Sequence, residues 1–378
     1  MHICILNPYF YPYHGGTEKV LLQVYKRLAK KHEISVITSA CETCKDKSVD
    51  YVEGIKVVRL PSRYIKMKML PLPFLIMEGL NEEIKRENAE IYHINNRFQY
   101  NMGNVKVIKS VNAKLALTIH NSLPKGIDFF TDLGGLYYDI LIGRKIMHES
   151  DIITGVSRYA IESTIPNKDI EKSFVVYNGV DFNLFRPLNK NFKIGFFRDG
   201  NFSILNNGRL VKQKGQEVLL KSFAMLSKKY DANLGIIGKG PLDRTLHRMA
   251  HRLGVDKQFS IISDIKEEDL PKYYNMADLF VMPSLYEPAG MALAEALACE
   301  TPSIATRIGG MPEIMGRCGM YIKPKDPNNL YSAMTFAIEN QDYMKKLASE
   351  GRKRVIKKND WDKIAKKYEI LFSKLTRR

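Results

Sequence analysis

Glu287 and Glu295 stand eight positions apart in the stretch VMPSLYEPAGMALAEALACETPSIATRIGGMPE, residues 281–313. The apolar run 278–282 reads as a buried strand that Pro283 and Ser284 end, and 291–298 is a run of strong helix formers. Eight helical steps span about 12 Å. The paired carboxylates of a glycosidase need about 5–10 Å, so that chemistry does not fit. The spacing does fit the distance from the ribose to the sugar of a nucleotide-diphosphate sugar. A helix N-terminus between the two carboxylates would offer free N–H groups to a phosphate or to sugar hydroxyls. Taken singly, each glutamate reads as a surface side chain, one in a loop and one on a polar helix face. The stretch as a whole points to chemistry.

Other residues carry compatible chemistry. Arg209 and Lys214 lie five apart, in Gly208-Arg209-Leu210 and Lys214-Gly215. They flank a turn from strand 203–206 to helix 217–226, where both can reach one diphosphate. Near the N-terminus, strand 2–6 leads through an aromatic loop to Gly15-Gly16 and a helix with Val20, Leu21, Val24 and Leu28 on its apolar face. Thr17 is the expected cap of that helix. With the following strand, 34–38, this is the opening of a Rossmann-like unit, whose glycines let the backbone approach a phosphate. Strand 91–94 ends at Asn95-Asn96-Arg97 and strand 115–119 ends at His120-Asn121. Carboxyl ends of parallel strands face the ligand crevice, which makes His120 either a functional or a structural imidazole. Cys41 and Cys44 form a lone CxxC with no second pair or nearby His, so no zinc site is expected, and no divalent-metal motif such as Asp-x-Asp stands near the glutamate stretch.

These motifs together resemble the retaining GT-B glycosyltransferases of family 4. That pattern has Pro-Ser after a strand, here Pro283-Ser284, then Glu287, Gly290 and Glu295, and a Gly-Gly-x-x-Glu at Gly309, Gly310 and Glu313. Gly15-Gly16-Thr17-Glu18, His120, Asn178-Gly179-Val180-Asp181 with Phe185-Arg186-Pro187, and the Arg209…Lys214 pair fall in the family's places. Ser263, in the turn Ser263-Asp264-Ile265, stands where the family usually has Gly. Glu300 stands where a Gly commonly ends the helix, at a cost of about 1 kcal/mol for a left-handed non-Gly residue.

The resemblance implies an α/β chain of GT-B type: two Rossmann-like domains facing a central cleft, with a C-terminal helix crossing back to the first. The domains would be 1–188 and 189–358, with 359–378 returning. It implies a retaining transfer from a nucleotide-diphosphate sugar, with no further cofactor. Arg209 and Lys214 would stabilise the leaving diphosphate. Glu287 would meet the donor sugar or the reacting centre, Glu295 the ribose, and the Gly290, Met291 and Ala292 amides the sugar. His120 would lie near the donor sugar, Ile265 at the nucleobase, and Gly15, Gly16 and Gly238 along the donor. Rival readings are a non-catalytic or nucleic-acid-binding protein on the same fold, and phosphorolysis or epimerisation.

The chain has 378 residues, enough for two domains, and 45% are hydrophobic, which argues against disorder. Its 58 Lys+Arg against 41 Asp+Glu give a net charge of +17, which favours an anionic partner. No nucleic-acid-binding motif accompanies that charge, so no nucleic acid is expected. No signal-peptide pattern and no spanning apolar run is found, and the expected location is cytoplasmic. The segment 61–77 mixes basic and apolar residues, and with Arg59 it carries Arg63, Lys66 and Lys68. It reads either as a surface for an anionic membrane, serving a sugar or lipid-linked acceptor, or as a loop and helix packed on the first domain. Residues 52–60 read as one strand, and 188–201 as the linker. A last helix would bury Ile364, Tyr368, Leu371 and Leu375.

Overall fold

Short aliphatic and β-branched runs alternate with amphipathic helices along the whole chain, the pattern of parallel sheets covered on both faces. The computed structural model describes residues 1–13, 15–40, 46–65, 74–95, 97–121, 133, 136–189 and 201–377. The chain forms two units, Met1–Asn178 with Trp361–Arg378, and Gly179–Asp360.

The first unit holds β1 (His2–Leu6), β2 (Glu33–Ser39), β3 (Ser48–Val52), β4 (Ile55–Leu60), β5 (Ser62–Ile65), β6 (Phe74–Met77), β7 (Ile91–Ile94), β8 (Lys114–Ile119), β9 (Ile152–Gly155) and β10 (Ser173–Val175). Eight of them form a sheet in the order β10-β9-β8-β7-β1-β2-β4-β3. Every pairing in it is parallel except β3 with β4. The winding direction reverses between β1 and β7.

Three expectations for this unit need correction. Residues 52–60 are not one strand: Glu53 and Gly54, with φ of 51° and 80°, turn the chain so that β3 pairs back on β4. The described parts of the segment 61–77 are strands and not a loop and helix. Its described ends, β5 and β6, pair antiparallel, with Ser62 opposite Met77. Residues 66–73, with Lys66 and Lys68, lie outside the described residues, as do Cys41 and Cys44 and most of the expected linker. Arg59 pairs with Asp50 at 3.3 Å and Arg63 with Glu78 at 2.5 Å, because the antiparallel pairings bring those acids alongside. Thr17 does not cap the first helix, Gly16–Leu28. Gly15 occupies the cap position with no side-chain bond.

The last helix, Trp361–Thr376, belongs to the first unit and packs on the helix Gly16–Leu28. Trp361, Ile364, Tyr368, Leu371 and Phe372 are buried, whereas Leu375 is only partly so. Arg27 Nε donates to Asp362 Oδ1 at 2.6 Å along the same contact.

The second unit holds β11 (Phe202–Asn207), β12 (Ala232–Ile237), β13 (Phe259–Ile262), β14 (Leu279–Met282), β15 (Ser303–Thr306) and β16 (Met320–Ile322). They form an all-parallel sheet in the order β13-β12-β11-β14-β15-β16, the doubly wound Rossmann order. Alternation along the strands feeds two cores. Ile204, Leu234 and Val281 meet Leu219, Leu220 and Phe223 of the helix Gln216–Leu226. Leu205, Phe280 and Met282 meet Leu293, Ala296 and Leu297 of the helix Met291–Ala298. That helix ends in a Schellman pair: Glu300 N–H donates to Leu297 O at 3.1 Å and Thr301 N–H to Ala296 O at 3.0 Å. Glu300 is left-handed there, with φ of 58°, as its place in the sequence requires.

Candidate functional site

Doubly wound sheets bind ligands beyond the carboxyl ends of the strands on either side of the reversal. In the second unit those strands are β11 and β14, and the loops that follow them are 208–215 and 283–290. The two loops are laced together. Gly215 has φ of +67°, and a Cβ on it would stand 2.1 Å from the Pro283 carbonyl oxygen. Leu285 N–H donates to Gln213 O at 2.7 Å, and Gln216 Nε2 holds the Arg209 carbonyl at 3.0 Å. Only a residue without a side chain permits this approach.

The lacing brings together two residues singled out in the sequence. Lys214 Nζ lies 2.5 Å from Glu287 Oε2, both largely buried. Glu287 Oε1 accepts from the Gly290 N–H at 3.1 Å. The Glu287 carbonyl accepts from the Gly310 N–H at 3.0 Å, and a Cβ on Gly309, whose φ is +56°, would come within 2.0 Å of that oxygen. The second glycine pair of the sequence therefore grips the Glu287 backbone. Arg209 is exposed and has no acidic partner among the described residues. Gly290 caps the helix Met291–Ala298 in left-handed geometry without a side-chain bond. The N–H groups of Met291 and Ala292 at the first turn have no intrahelical acceptor.

Glu295 occupies a different environment. It is 7% exposed, and its Oε2 accepts from the Tyr274 hydroxyl at 3.0 Å. That hydroxyl in turn accepts from Asn207 Nδ2 at 2.8 Å. Burial, and then the Glu295 charge, hold the Tyr274 phenol well above its usual range, so it stays a donor. Sequence reasoning missed Tyr274 and Asn207, and nothing in their spacing marks them. Gly238 follows β12 and donates to Ile262 O at 3.0 Å; Ile265 is partly buried against the core. Between them Asp264, with φ of 59°, is the left-handed residue of its turn. Its bond with Lys239 holds its carboxyl below the ordinary range.

In the first unit the reversal lies between β1 and β7. The loop after β1 ends at Gly15 and Gly16, where Asn7 Nδ2 donates to Glu18 Oε1 at 3.4 Å and burial raises the Glu18 carboxyl. His120 follows β8 and bonds through Nε2 to Asn95 Oδ1 at 3.2 Å. Burial pushes it down to about 4, so the imidazole is neutral near pH 7. His93 on β7 is buried between the Tyr25 hydroxyl and Thr118 Oγ1, and burial followed by the neighbouring His120 pushes it down to about 3. Arg97 makes a two-pronged pair with Asp139, 2.8 Å on each side, and donates to the Asn121 carbonyl at 3.0 Å. Asn95 and Arg97 at one strand end thus hold His120 and Asn121 at the next.

Two family models match the chain: Glycosyltransferase Family 4 over residues 14–184 and Glycosyl transferases group 1 over residues 189–354. The chain is 31% identical over 252 residues to an uncharacterized glycosyltransferase of Methanocaldococcus jannaschii, an alignment that spans 62% of this chain and 64% of the relative. It is 24% identical over 376 residues to N-acetyl-alpha-D-glucosaminyl L-malate synthase of Bacillus anthracis, covering 96% of this chain and 94% of that one. Among solved structures, HepE of Anabaena in complex with UDP superposes with a TM-score of 0.78 at 18% identity, covering 99% of this chain and 100% of the other. At that identity the likeness speaks to the fold, which is GT-B.

Proposed function

This chain belongs to the glycosyltransferases described by those two models, and from that premise we propose that it moves a sugar from a nucleotide-diphosphate sugar to an acceptor hydroxyl with retention at the anomeric carbon. The Lys214–Glu287 pair at the β11/β14 reversal carries this reading, because it puts a cation and a carboxylate where a doubly wound sheet receives its ligand. When the bond from the anomeric carbon to the diphosphate breaks, negative charge grows on the leaving group. Lys214 and the exposed Arg209 are the groups to stabilise it. Glu287 then faces the donor sugar, with the Gly290, Met291 and Ala292 amides beside it. Glu295 takes the ribose hydroxyls, its carboxylate steadied by Tyr274. His120, neutral near pH 7, serves as a hydrogen-bond partner to the donor sugar and not as a cation. Gly15 and Gly16 let the first-unit backbone approach the diphosphate, and Gly238 and Ile265 adjoin the base.

The net charge of +17 supports an anionic or membrane-borne acceptor, such as a lipid-linked glycan precursor, reached from the cytoplasmic face. The test is a panel of uridine, guanosine and adenosine diphosphate sugars. Thermal stabilisation by one base and release of its nucleoside diphosphate are expected, and NMR of the product should show the donor's anomeric configuration kept. Cleavage only in the presence of inorganic phosphate, or a product of inverted configuration, would overturn the reading.

A further inference from the structure

In the first unit, β6 and the first turns of the helices Leu80–Glu87 and Met102–Ser110 line an open cavity of about 240 Å³. Its wall has two characters. Leu75, Ile76 and Met77 give a smaller aliphatic side, on which Ile76 is 43% exposed while Leu75 and Met77 are buried. Asn81, Gln99 and Asn101 give an amide side.

The amides are fixed by the scaffold through their oxygens. Gln99 Oε1 accepts from the Leu75 N–H at 3.0 Å. Asn81 Oδ1 accepts from Asn104 Nδ2 at 2.9 Å, and Asn104 is itself oriented because its Oδ1 accepts from the Asn101 N–H at 3.1 Å. Asn101 Oδ1 accepts from the N–H groups of Gly103 and Asn104 at 2.8 and 3.2 Å. These contacts define which end of each amide is oxygen. They leave three NH₂ groups with no acceptor among the described residues. Glu82, exposed on the rim, adds a carboxylate that can only accept and that makes no ion pair among the described residues.

Preset donors, one acceptor and an aliphatic wall are what a pyranose needs, since its hydroxyls both donate and accept while its C–H face packs on apolar surface. The Glu82 charge acts against a phosphate or carboxylate ligand in the same place. We propose that this cavity binds a neutral saccharide unit, and that the unit belongs to the acceptor; the second part rests on the transferase reading above.

The experiment is saturation-transfer NMR on the full chain, without nucleotide, using methyl α-glucopyranoside, methyl α-mannopyranoside and N-acetylglucosamine. Gln99→Glu and Asn81→Asp keep the accepting oxygen and the length of each side chain and exchange its donating NH₂ for a charged oxygen that can only accept. At least one sugar should bind saturably, and each variant should weaken it about tenfold, as loss of a hydrogen bond does, with an unchanged melting temperature. No saturable binding by the wild type, equal binding by both variants, or displacement of the sugar by inorganic phosphate would overturn the proposal. Release of nucleoside diphosphate from a nucleotide sugar is measured on the same protein. Turnover without sugar binding defeats the saccharide site alone, and sugar binding without any turnover defeats the transferase reading alone.

Discussion

Lys214 is held by Glu287 at 2.5 Å, whereas Arg209 has no acidic partner among the described residues, so the two cations start from different states. Removing either should lower turnover about 10²-fold, since each would stabilise charge that grows only in the transition state. Lys214→Ala also leaves a largely buried carboxylate without its partner, so it should lower the melting temperature where Arg209→Ala does not. Wild-type rates in both variants, measured by nucleoside diphosphate release, would remove them from the chemistry. Glu287 and Glu295 should separate in the same way. Glu295→Ala should weaken binding of the nucleoside diphosphate itself, and Tyr274→Phe should do so more mildly by removing one hydrogen bond to that carboxylate. Glu287→Ala should spare nucleotide affinity and damage transfer. Calorimetric titration with the diphosphate checks this, and equal losses at both glutamates would contradict the division.

Among the elements, the helix Met291–Ala298 shows a local rule broken at a known cost. Its Schellman end needs a left-handed residue and has Glu300 there, with φ of 58°. Glu300→Gly should therefore stabilise the second unit by about 1 kcal/mol, read as a raised melting temperature, with activity unchanged. A second expectation concerns the buried chain that joins elements of the first unit: Tyr25, His93, Thr118, Thr154 and Tyr368. His93 and His120 are pushed down to about 3 and about 4 by burial, below the 6.5 of an ordinary imidazole. The unfolded chain then binds more protons than the folded one as pH falls below about 6.5, so the stability they contribute is full at neutral pH and is lost on acidification through those values. Melting temperature should fall between pH 7 and pH 4, and less steeply in His93→Gln. These elements differ in how plainly the sequence announced them. The strand Ile91–Ile94 and the helix Met291–Ala298 were legible because apolar runs of the right length are punctuated by glycine, proline or asparagine. Strand β3 was not, since it is almost wholly exposed, with Tyr51 at 74%, and has no buried face to print a pattern. Nor was the β5–β6 pairing, because two strands of four residues separated by a long interval carry no local sign of each other. For the site, motif spacing named Lys214 and Glu287, but their contact across 73 residues follows from β11 lying beside β14. Tyr274 came only from packing.

At the scale of the whole molecule, the positive charge asks where the protein works. Among the described residues no helix is long and apolar enough to cross a membrane. If the acceptor is presented on an anionic surface through residues 59–77, the ion pairs of Arg59 with Asp50 and Arg63 with Glu78 already spend half of the basic residues named there. Replacing Lys66 and Lys68 with Gln should then reduce sedimentation with anionic liposomes far more than replacing Arg59 and Arg63, with nucleotide binding intact. Indifference of the wild type to such liposomes at low ionic strength would leave the charge to a soluble anionic acceptor. The division of the chain has its own consequence for the order of synthesis. The first unit is built from residues 1–178 and 361–378, with the second unit threaded between them. A ribosome delivers the sheet of the first unit early, yet Trp361, Tyr368 and Phe372, which cover the helix Gly16–Leu28 and its neighbours, arrive last. The second unit can close its own core while the first still waits with an open apolar face. A premature stop just after Asp360 would therefore injure the oldest part of the nascent protein and spare the part beside the break.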